Sequence, residues 1–252
     1  MKKLGLISFI FMMVALVLSV PIYATELDLL KPNTVVIAHD NSFPPYGWVE
    51  HGKPVGFELD VVKAIIEKMG LKAEFQPDDW AKVLISVKLR KADAIATIGI
   101  TEERKKSYDF SESYTDFASA LFVKTEDPGI QGLKDLDGKV VAVQKDSFPI
   151  PYLRQNHPTV QLYMTDSPLS AMEAVLSDKA TAAVVDKQVG LYNIKQRLSG
   201  KLKNVGEEFN KTPVALAVLK GTKAEFLKKF NQALSEIKAD GTYDRIYTQW
   251  FK

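Results

Sequence analysis

The chain has 252 residues, a formal net charge of +2, 46% hydrophobic residues and no cysteine. This length is sufficient for one large domain or for two small lobes, each with a buried core. The absence of cysteine excludes a disulfide framework, every cysteine-based metal site and a lipid-modified N-terminal cysteine. The near-neutral balance of interspersed charges gives no electrostatic basis for binding nucleic acid.

The N-terminus begins with a basic and then strongly apolar segment. Lys2 and Lys3 precede an almost unbroken apolar run from Leu4 to Val20, and Ala24 provides a small residue at its end. This pattern predicts a signal peptide over residues 1–24 with cleavage after Ala24. An uncleaved anchor is the alternative, because the run approaches the length of a membrane span. Export without a lipid-modified cysteine favours a Gram-negative periplasm.

Short apolar runs then alternate with amphipathic stretches, which is typical of an α/β protein. Asp78 or Asp79 is predicted to cap the second helix, and Thr101 to cap a short third one. Gly70 is a favourable stop for the first helix, whose apolar residues recur at helical spacing. The first cycle has predicted strands at 34–38, 73–76 and 94–98, with helices at 57–69 and 80–89.

The cycle restarts at about Ser119. Its predicted strands are 120–124, 139–143, 182–185 and 214–219, and its predicted helices are 133–138, 168–176, 189–198 and 224–239, before a closing segment at 242–251. No low-complexity linker separates the two cycles. If the last part rejoins the first lobe, two strands cross between the lobes as a hinge. Ligands favour the crevice beyond the carboxyl ends of such strands.

Side-chain sets that support catalysis are not visible in the sequence. His39, His51 and His157 are scattered without metal-ligand spacing, and we predict that each lies on the surface or in a loop. There is no phosphate-binding glycine loop and no nucleophile elbow. The sequence therefore predicts neither a cofactor nor a metal, and it favours binding over catalysis.

One segment combines groups that suit an anion. Thr97 and Gly99 end a predicted strand, and Arg104 follows the helix cap by about one turn. A guanidinium, a backbone N–H and a hydroxyl together can bind a carboxylate. An arginine on a solvated helix face is the alternative, and spacing alone leaves both open.

Motifs along the chain occur in the order and spacing of one known family. They are Asp40-Asn41-Ser42-Phe43-Pro44-Pro45-Tyr46, Gly56-Phe57-Glu58-Leu59-Asp60, Asp79-Trp80, Gly99 to Arg104, Asp109-Phe110-Ser111 with Tyr114, Asp135 to Lys139, Val143-Gln144-Lys145, Val184-Val185-Asp186 and Asp240 to Phe251. From about Thr34 to Lys252, the chain resembles bacterial extracellular solute-binding proteins of family 3, the polar amino-acid group.

The resemblance implies an α/β, two-lobed periplasmic-binding-protein fold, also called a Venus flytrap. Two hinge crossovers would connect the lobes, with a ligand cleft between them. Residues 25–118 and 213–252 would form lobe 1, and residues 119–212 would form lobe 2.

The resemblance also implies how an amino acid would be held by its backbone groups. Arg104, Thr97 and the N–H of Gly99 would bind the α-carboxylate. Asp186, at the end of a strand in the second lobe, would bind the α-ammonium through a charge-assisted hydrogen bond.

The remaining implied site residues face the ligand side chain or complete the site from the second lobe. Phe43 and Trp80 would sandwich the side chain, since aromatic faces offer apolar area and attract cations. Asp40 would meet its polar or cationic end, and Gln144 and Ser147 would complete the site. Trp80 in the core of its lobe, and Asp40 as a turn cap, are the alternatives.

The chain departs from the family pattern in the second lobe. The family usually has Gly-Thr-Thr after Val143-Gln144-Lys145, whereas this chain has Asp146-Ser147-Phe148. A buried acid beside a ligand carboxylate would be unfavourable. Asp146 is therefore expected to point away, or the ligand is not an ordinary α-amino acid. Phe148 is expected to shrink the pocket. This stretch also resembles sensor-type clamps found outside signalling kinases.

Three functions are compatible with these features. The first is periplasmic binding of a polar amino acid, with a basic or amide side chain favoured, for delivery by a monomeric protein to a membrane ABC permease. The second is a sensory clamp for a membrane signalling partner. The third is an enzyme similar to cyclohexadienyl dehydratases, for which the only candidate proton donors are Asp40, Asp146 and Asp186.

Overall fold

A computed structural model describes residues 27–251. The predicted signal peptide and its cleavage site lie outside these residues. Within residues 27–251, every helix falls short of the length and apolarity that a membrane span requires.

The first part of the chain forms three parallel strands with helices between them, together with a small antiparallel sheet. The elements are β1 (Thr34–Asp40), β2 (Ser42–Phe43), β3 (Gly47–Glu50), β4 (Lys53–Val55), α1 (Phe57–Lys68), β5 (Lys72–Asp78), α2 (Trp80–Ser86), β6 (Ala94–Gly99), α3 (Glu102–Lys105) and β7 (Tyr108–Phe110). Helix α1 buries Val61, Val62, Ile65 and Ile66, which recur at the spacing of one helical face.

The second part repeats the alternation and then returns to the first. Its elements are β8 (Thr115–Lys124), a 3₁₀ helix (Leu133–Leu136), β9 (Val140–Gln144), α4 (Pro149–Asn156), β10 (Gln161–Thr165), α5 (Pro168–Leu176), β11 (Ala182–Asp186), α6 (Lys187–Arg197), β12 (Leu202–Leu219), α7 (Ala224–Ala239) and α8 (Thr242–Phe251). The predicted bounds of α5 and α7 match the structure.

The strands are joined in the order β10-β9-β11-β8-β12-β6-β1-β5, with β7 also paired to β12. Strands β5, β1 and β6 are parallel, and so are β10, β9 and β11. We call the parts built on these two parallel groups the first lobe and the second lobe. Strands β8 and β12 connect them and run antiparallel to their neighbours. This is the predicted two-lobed α/β fold with two crossovers.

Each lobe has apolar side chains packed on both faces of its part of the sheet. In the first lobe, α1 and α7 bury Phe57 and Phe230 against one face, and α2 buries Val83 against the other. In the second lobe, α5 buries Met172, and α4 buries Leu153 on the opposite face. Complete burial of one such side chain contributes about 1.5–3 kcal/mol, so each lobe has its own stabilising core.

Three features differ from the sequence prediction. Helix α4 begins with Pro149 and has Pro151 in its first turn, where backbone N–H groups have no partner within the helix and proline is tolerated. Strand β12 begins at Leu202 and not at Val214 as predicted. Its centre is polar, includes Asn210 at φ 50°, and shifts register in its pairing with β8. The small sheet β2-β3-β4 and strand β10 were not predicted, because strands of two to five residues are too short for a periodic signal.

Candidate functional site

The predicted binding residues lie where the parallel strands of both lobes end. Asp40 ends β1 and Gly99 ends β6 in the first lobe. Gln144 ends β9 and Asp186 ends β11 in the second lobe. The carboxyl ends of the two parallel groups thus face one crevice, the place where open α/β sheets bind ligands.

Eight of the nine predicted site residues line the same cavity, which we call the inner pocket. It has a free volume of about 20 Å³, roughly the space for one water molecule. Phe117 and Phe148, which the prediction did not include as site residues, complete its wall. The eight predicted residues are Asp40, Phe43, Trp80, Thr97, Gly99, Arg104, Gln144 and Ser147.

Arg104 is positioned by the start of α3. The hydroxyl of Thr101 accepts a hydrogen bond from the Arg104 N–H at 3.2 Å, which confirms the predicted helix cap. The guanidinium lies 5.0 Å from the centre of the Trp80 ring and donates to the carbonyl of Gly99 at 2.9 Å. Burial lowers the pKa of Arg104 to about 10, so the side chain remains cationic at neutral pH.

Gly99 lies at a tightly packed position beside Arg104. A Cβ at this position would lie 2.8 Å from Cγ2 of Thr212, 3.6 Å from Nη1 of Arg104 and 3.6 Å from Cβ of Phe148. A contact below 3.0 Å requires something to shift, so a larger residue would displace Thr212, whereas the two distances of 3.6 Å are ordinary van der Waals contacts. Glycine at the end of β6 therefore accommodates the close approach of Thr212 in β12.

Asp40 bonds to the second lobe. Its Oδ2 accepts a hydrogen bond from Nε2 of Gln144 at 2.7 Å, and its Oδ1 accepts from the N–H and hydroxyl of Ser42. Burial raises the pKa of Asp40, and the hydrogen bonds from Gln144 and Ser42 oppose that rise. The Asp40 carboxylate therefore links the lobes. Its bonds to Ser42 also make it a turn cap, which was the alternative role considered for Asp40.

The loop that departs from the family pattern also joins the lobes. The carbonyl of Asp146 accepts hydrogen bonds from Nε1 of Trp80 and Nη2 of Arg104, each at 3.0 Å. Asp146 has φ 57°, a conformation in which glycine is favoured and aspartate is tolerated. Asp146 is exposed to solvent, which agrees with the expectation that it points away.

Phe148 fills space beside the inner pocket. It is only 6% exposed, and its ring centre lies 5.5 Å from that of Phe117. Phe117 in turn lies 5.2 Å from Phe43. These three rings reduce the room beside Arg104, as was expected for Phe148 from its size.

Asp186 lies outside the inner pocket. It lines a second cavity of about 220 Å³ together with Tyr46, and Phe117 forms part of the wall of both cavities. Its carboxylate caps α6 by accepting from the N–H groups of Gln188 and Val189, and it accepts a third bond from Ala118. Burial raises the pKa of Asp186 to about 7, although these backbone bonds oppose the rise.

A buried polar group beside the site was missed by sequence reasoning. His39 was predicted on the surface or in a loop, but it is fully buried in β1 and burial lowers its pKa to about 4. Glu58 is also fully buried, with its Oε2 3.4 Å from the hydroxyl of Tyr114, and burial raises its pKa well above the usual range. Because β1 is covered on both faces, alternation could not indicate that His39 is inside.

One buried hydroxyl group in the inner pocket has no hydrogen-bond partner among the described residues. It belongs to Ser147, from the second lobe. The hydroxyl of Thr97, from the first lobe, interacts with the buried carboxylate of Glu58. Thr97 also has φ 61°, an uncommon conformation for a β-branched residue. Buried polar atoms are usually satisfied, so the unpartnered hydroxyl of Ser147 suits a polar ligand. Within residues 27–251, no group of three histidine or acidic side chains is arranged to hold a metal ion.

The chain belongs to the family described as bacterial extracellular solute-binding proteins, family 3, which it matches over residues 35–252. Membership of this extracellular family implies a location outside the cytoplasm. The L-cystine-binding protein TcyJ of Escherichia coli (strain K12) is 30% identical over 248 residues, which cover 95% of this chain and 92% of that protein.

Two solved structures share the fold. An ancestral arginine-binding protein bound to arginine is 38% identical, with a TM-score of 0.82, and the match covers 87% of this chain and 99% of that chain. A histidine kinase sensor domain with similarity to periplasmic binding proteins is 29% identical, with a TM-score of 0.81, and the match covers 86% of this chain and 96% of that chain. The first is named for binding and the second for sensing, so the fold alone does not separate these functions.

Proposed function

We propose that this protein binds a polar amino acid in the cleft and delivers it to an ABC importer. The observation that carries the proposal is the Arg104 guanidinium, which is held over Trp80 beside Gly99 at the junction of both lobes. The names of the cystine-binding and arginine-binding relatives agree with an amino-acid ligand. The names of these relatives also support binding without reaction.

The ligand's α-carboxylate is bound by Arg104 with the hydroxyl of Thr97 and the N–H of Gly99. In the structure, Arg104 donates to the carbonyls of Gly99 and Asp146. A carboxylate is a stronger partner for a guanidinium than a neutral carbonyl, so the ligand carboxylate replaces the Asp146 carbonyl as an acceptor for Arg104. The unpartnered hydroxyl of Ser147 completes this part of the site from the second lobe.

The other ligand groups are held by residues from both lobes. Phe43 and Trp80 contact the ligand side chain, and Asp40 receives its polar or cationic end once Gln144 turns away. Asp186 receives the α-ammonium, which requires Phe117 to move from between the two cavities. Basic or amide amino acids suit this set, because Asp40 disfavours an acidic side chain.

Binding couples to movement of the lobes. Residues 25–118 and 213–252 form lobe 1 and residues 119–212 form lobe 2, with β8 and β12 as the hinge. A ligand that bonds to both lobes favours the arrangement in which they meet, in proportion to its differential affinity. After removal of residues 1–24, the monomeric protein acts in the periplasm.

Substitution of Arg104 tests the proposal. A thermal-shift screen of the refolded mature protein against the common amino acids identifies the ligand, because a bound ligand raises stability by mass action. Arg104→Ala should then weaken its binding by at least about 1.5–3 kcal/mol in calorimetry. Arg197→Ala, at an exposed site in the second lobe, is the control. Unchanged affinity in Arg104→Ala would refute the carboxylate assignment.

A sensory clamp is the second candidate function, and the histidine kinase sensor domain among the similar structures favours it. A gene neighbourhood with a signalling partner and no permease would support it. The third, a dehydratase-like enzyme, needs a proton donor over the substrate. Asp40 and Asp186 are engaged in hydrogen bonds, and Asp146 is exposed to solvent, so we expect no turnover of prephenate or arogenate in a purified assay.

A further inference from the structure

A larger space opens directly outside the inner pocket. We call it the outer chamber; it lies between α2 of the first lobe and the segment 145–154 of the second. Its free volume is about 610 Å³, against about 20 Å³ for the inner pocket, and it falls in the size range of small-molecule sites. Arg104, Ser147 and Phe148 line both spaces. The two spaces therefore meet at the proposed carboxylate-binding group.

The outer chamber is positively charged. Four cationic side chains and two acidic ones line it, and they are Lys88, Arg104, Lys145, Arg154, Glu103 and Asp146. Glu103 is paired with Lys106, which lies outside the lining. Lys145 and Arg154 are exposed and make no ion pair within residues 27–251. This surplus of unpaired cations favours an anionic group.

The outer chamber also offers apolar surface from both lobes. Ile85 of α2 is 47% exposed and Met164 of β10 is 40% exposed, and both line the chamber with Leu84 and Ile150. Covering such side chains with an apolar group removes hydrocarbon surface from water and is favourable. A suitable occupant therefore combines an apolar arm with an anionic end.

We propose that the outer chamber binds the second residue of a dipeptide. The first residue of the dipeptide occupies the inner pocket with its carbonyl at Arg104, and the dipeptide backbone continues past Arg104 into the outer chamber. The second side chain then lies against Ile85 and Met164, and its terminal carboxylate lies among Lys145, Arg154 and Lys88. This inference rests on the proposed function, because it uses the same Arg104 site, and it extends the ligand class beyond free amino acids.

Calorimetry with three probes tests the inference. They are arginine, arginyl-leucine and arginyl-leucinamide, which lacks the terminal charge. We expect arginyl-leucine to bind about tenfold tighter than arginyl-leucinamide, a ratio that corresponds to one charge-assisted contact. Lys145→Gln and Arg154→Gln should each lower the ratio of dipeptide to arginine affinity about threefold to fivefold, as for partly exposed ion pairs.

The controls and outcomes separate this inference from the proposed function. Lys134→Gln and Arg197→Gln change exposed cations of the second lobe outside the chamber, and they should leave the ratio unchanged. If arginine or another free amino acid binds and the dipeptide binds more weakly, the inference is overturned and the proposed function stands. Equal affinity for the dipeptide and its amide also overturns the inference. Binding of neither class overturns both.

Discussion

Replacement of Gln144 by leucine should loosen the contact between the lobes. The Nε2 atom of Gln144 donates to the Asp40 carboxylate at 2.7 Å, and both residues are buried and lie 104 positions apart in the chain. Leucine has nearly the same size but no donor. When the lobes separate, water can solvate Asp40. Loss of the Gln144 hydrogen bond therefore destabilises only the arrangement in which the lobes are joined.

The size of this effect follows from the type of bond. A hydrogen bond to a charged group contributes about 1.5–3 kcal/mol, and each 1.4 kcal/mol changes an equilibrium about tenfold. The ratio of joined to separated lobes should therefore fall about tenfold to a hundredfold. The bonds from Trp80 and Arg104 to the carbonyl of Asp146 remain, so we expect a broader mixture of arrangements and not complete opening.

Spin-label distance measurements can detect the change. The chain has no cysteine, so Leu89→Cys and Tyr163→Cys would provide the only two labelling sites, one in each lobe. These residues are 55% and 37% exposed. Gln144→Leu should shift the distance distribution towards longer values, whereas the exposed Gln161→Leu should not. An unchanged distribution in Gln144→Leu would show that this bond does not hold the lobes together.

Three further substitutions or conditions give predictions with a defined sign. Because burial raises the pKa of Asp186 to about 7, the ionised fraction of this carboxyl group decreases as the pH falls below 7. Ligand affinity measured by calorimetry should therefore decline from pH 8 to pH 5.5, and a flat profile would contradict binding of the ligand ammonium by Asp186. Asp146→Gly should raise the free energy of unfolding in urea by about 0.5–1 kcal/mol, since glycine adopts φ 57° without the strain of a side chain. A free energy of unfolding below that of the unsubstituted protein would mean that the Asp146 carboxylate makes a favourable contact. Gly190→Ala should lower the free energy of unfolding by about 1–3 kcal/mol, because the added Cβ would lie 2.1 Å from Cζ of Phe122. A gain of about 1 kcal/mol, which is usual for this change within a helix, would show instead that the Phe122 ring can move.

Local patterns were sufficient for most of the architecture. Helices α5 and α7 have the predicted bounds, because their apolar residues recur at helical spacing and turn or cap residues flank them. The cap made by Thr101 was also predicted, since it depends only on residues three positions apart. By contrast, α4 was missed because Pro149 and Pro151 usually argue against a helix, and only their place in the first turn makes them compatible.

The sequence by itself determined the family, the alternating elements and the residue types that meet in the crevice. Only the tertiary structure decided their partners: Asp40 bonds to Gln144, while Asp186 lies across Phe117 in a neighbouring cavity. It also decided that His39 is buried and that Asp146 presents its carbonyl to Arg104. The physical reason is range. Periodicity and capping act within a few residues, whereas these contacts depend on how two separately packed lobes meet across the crevice.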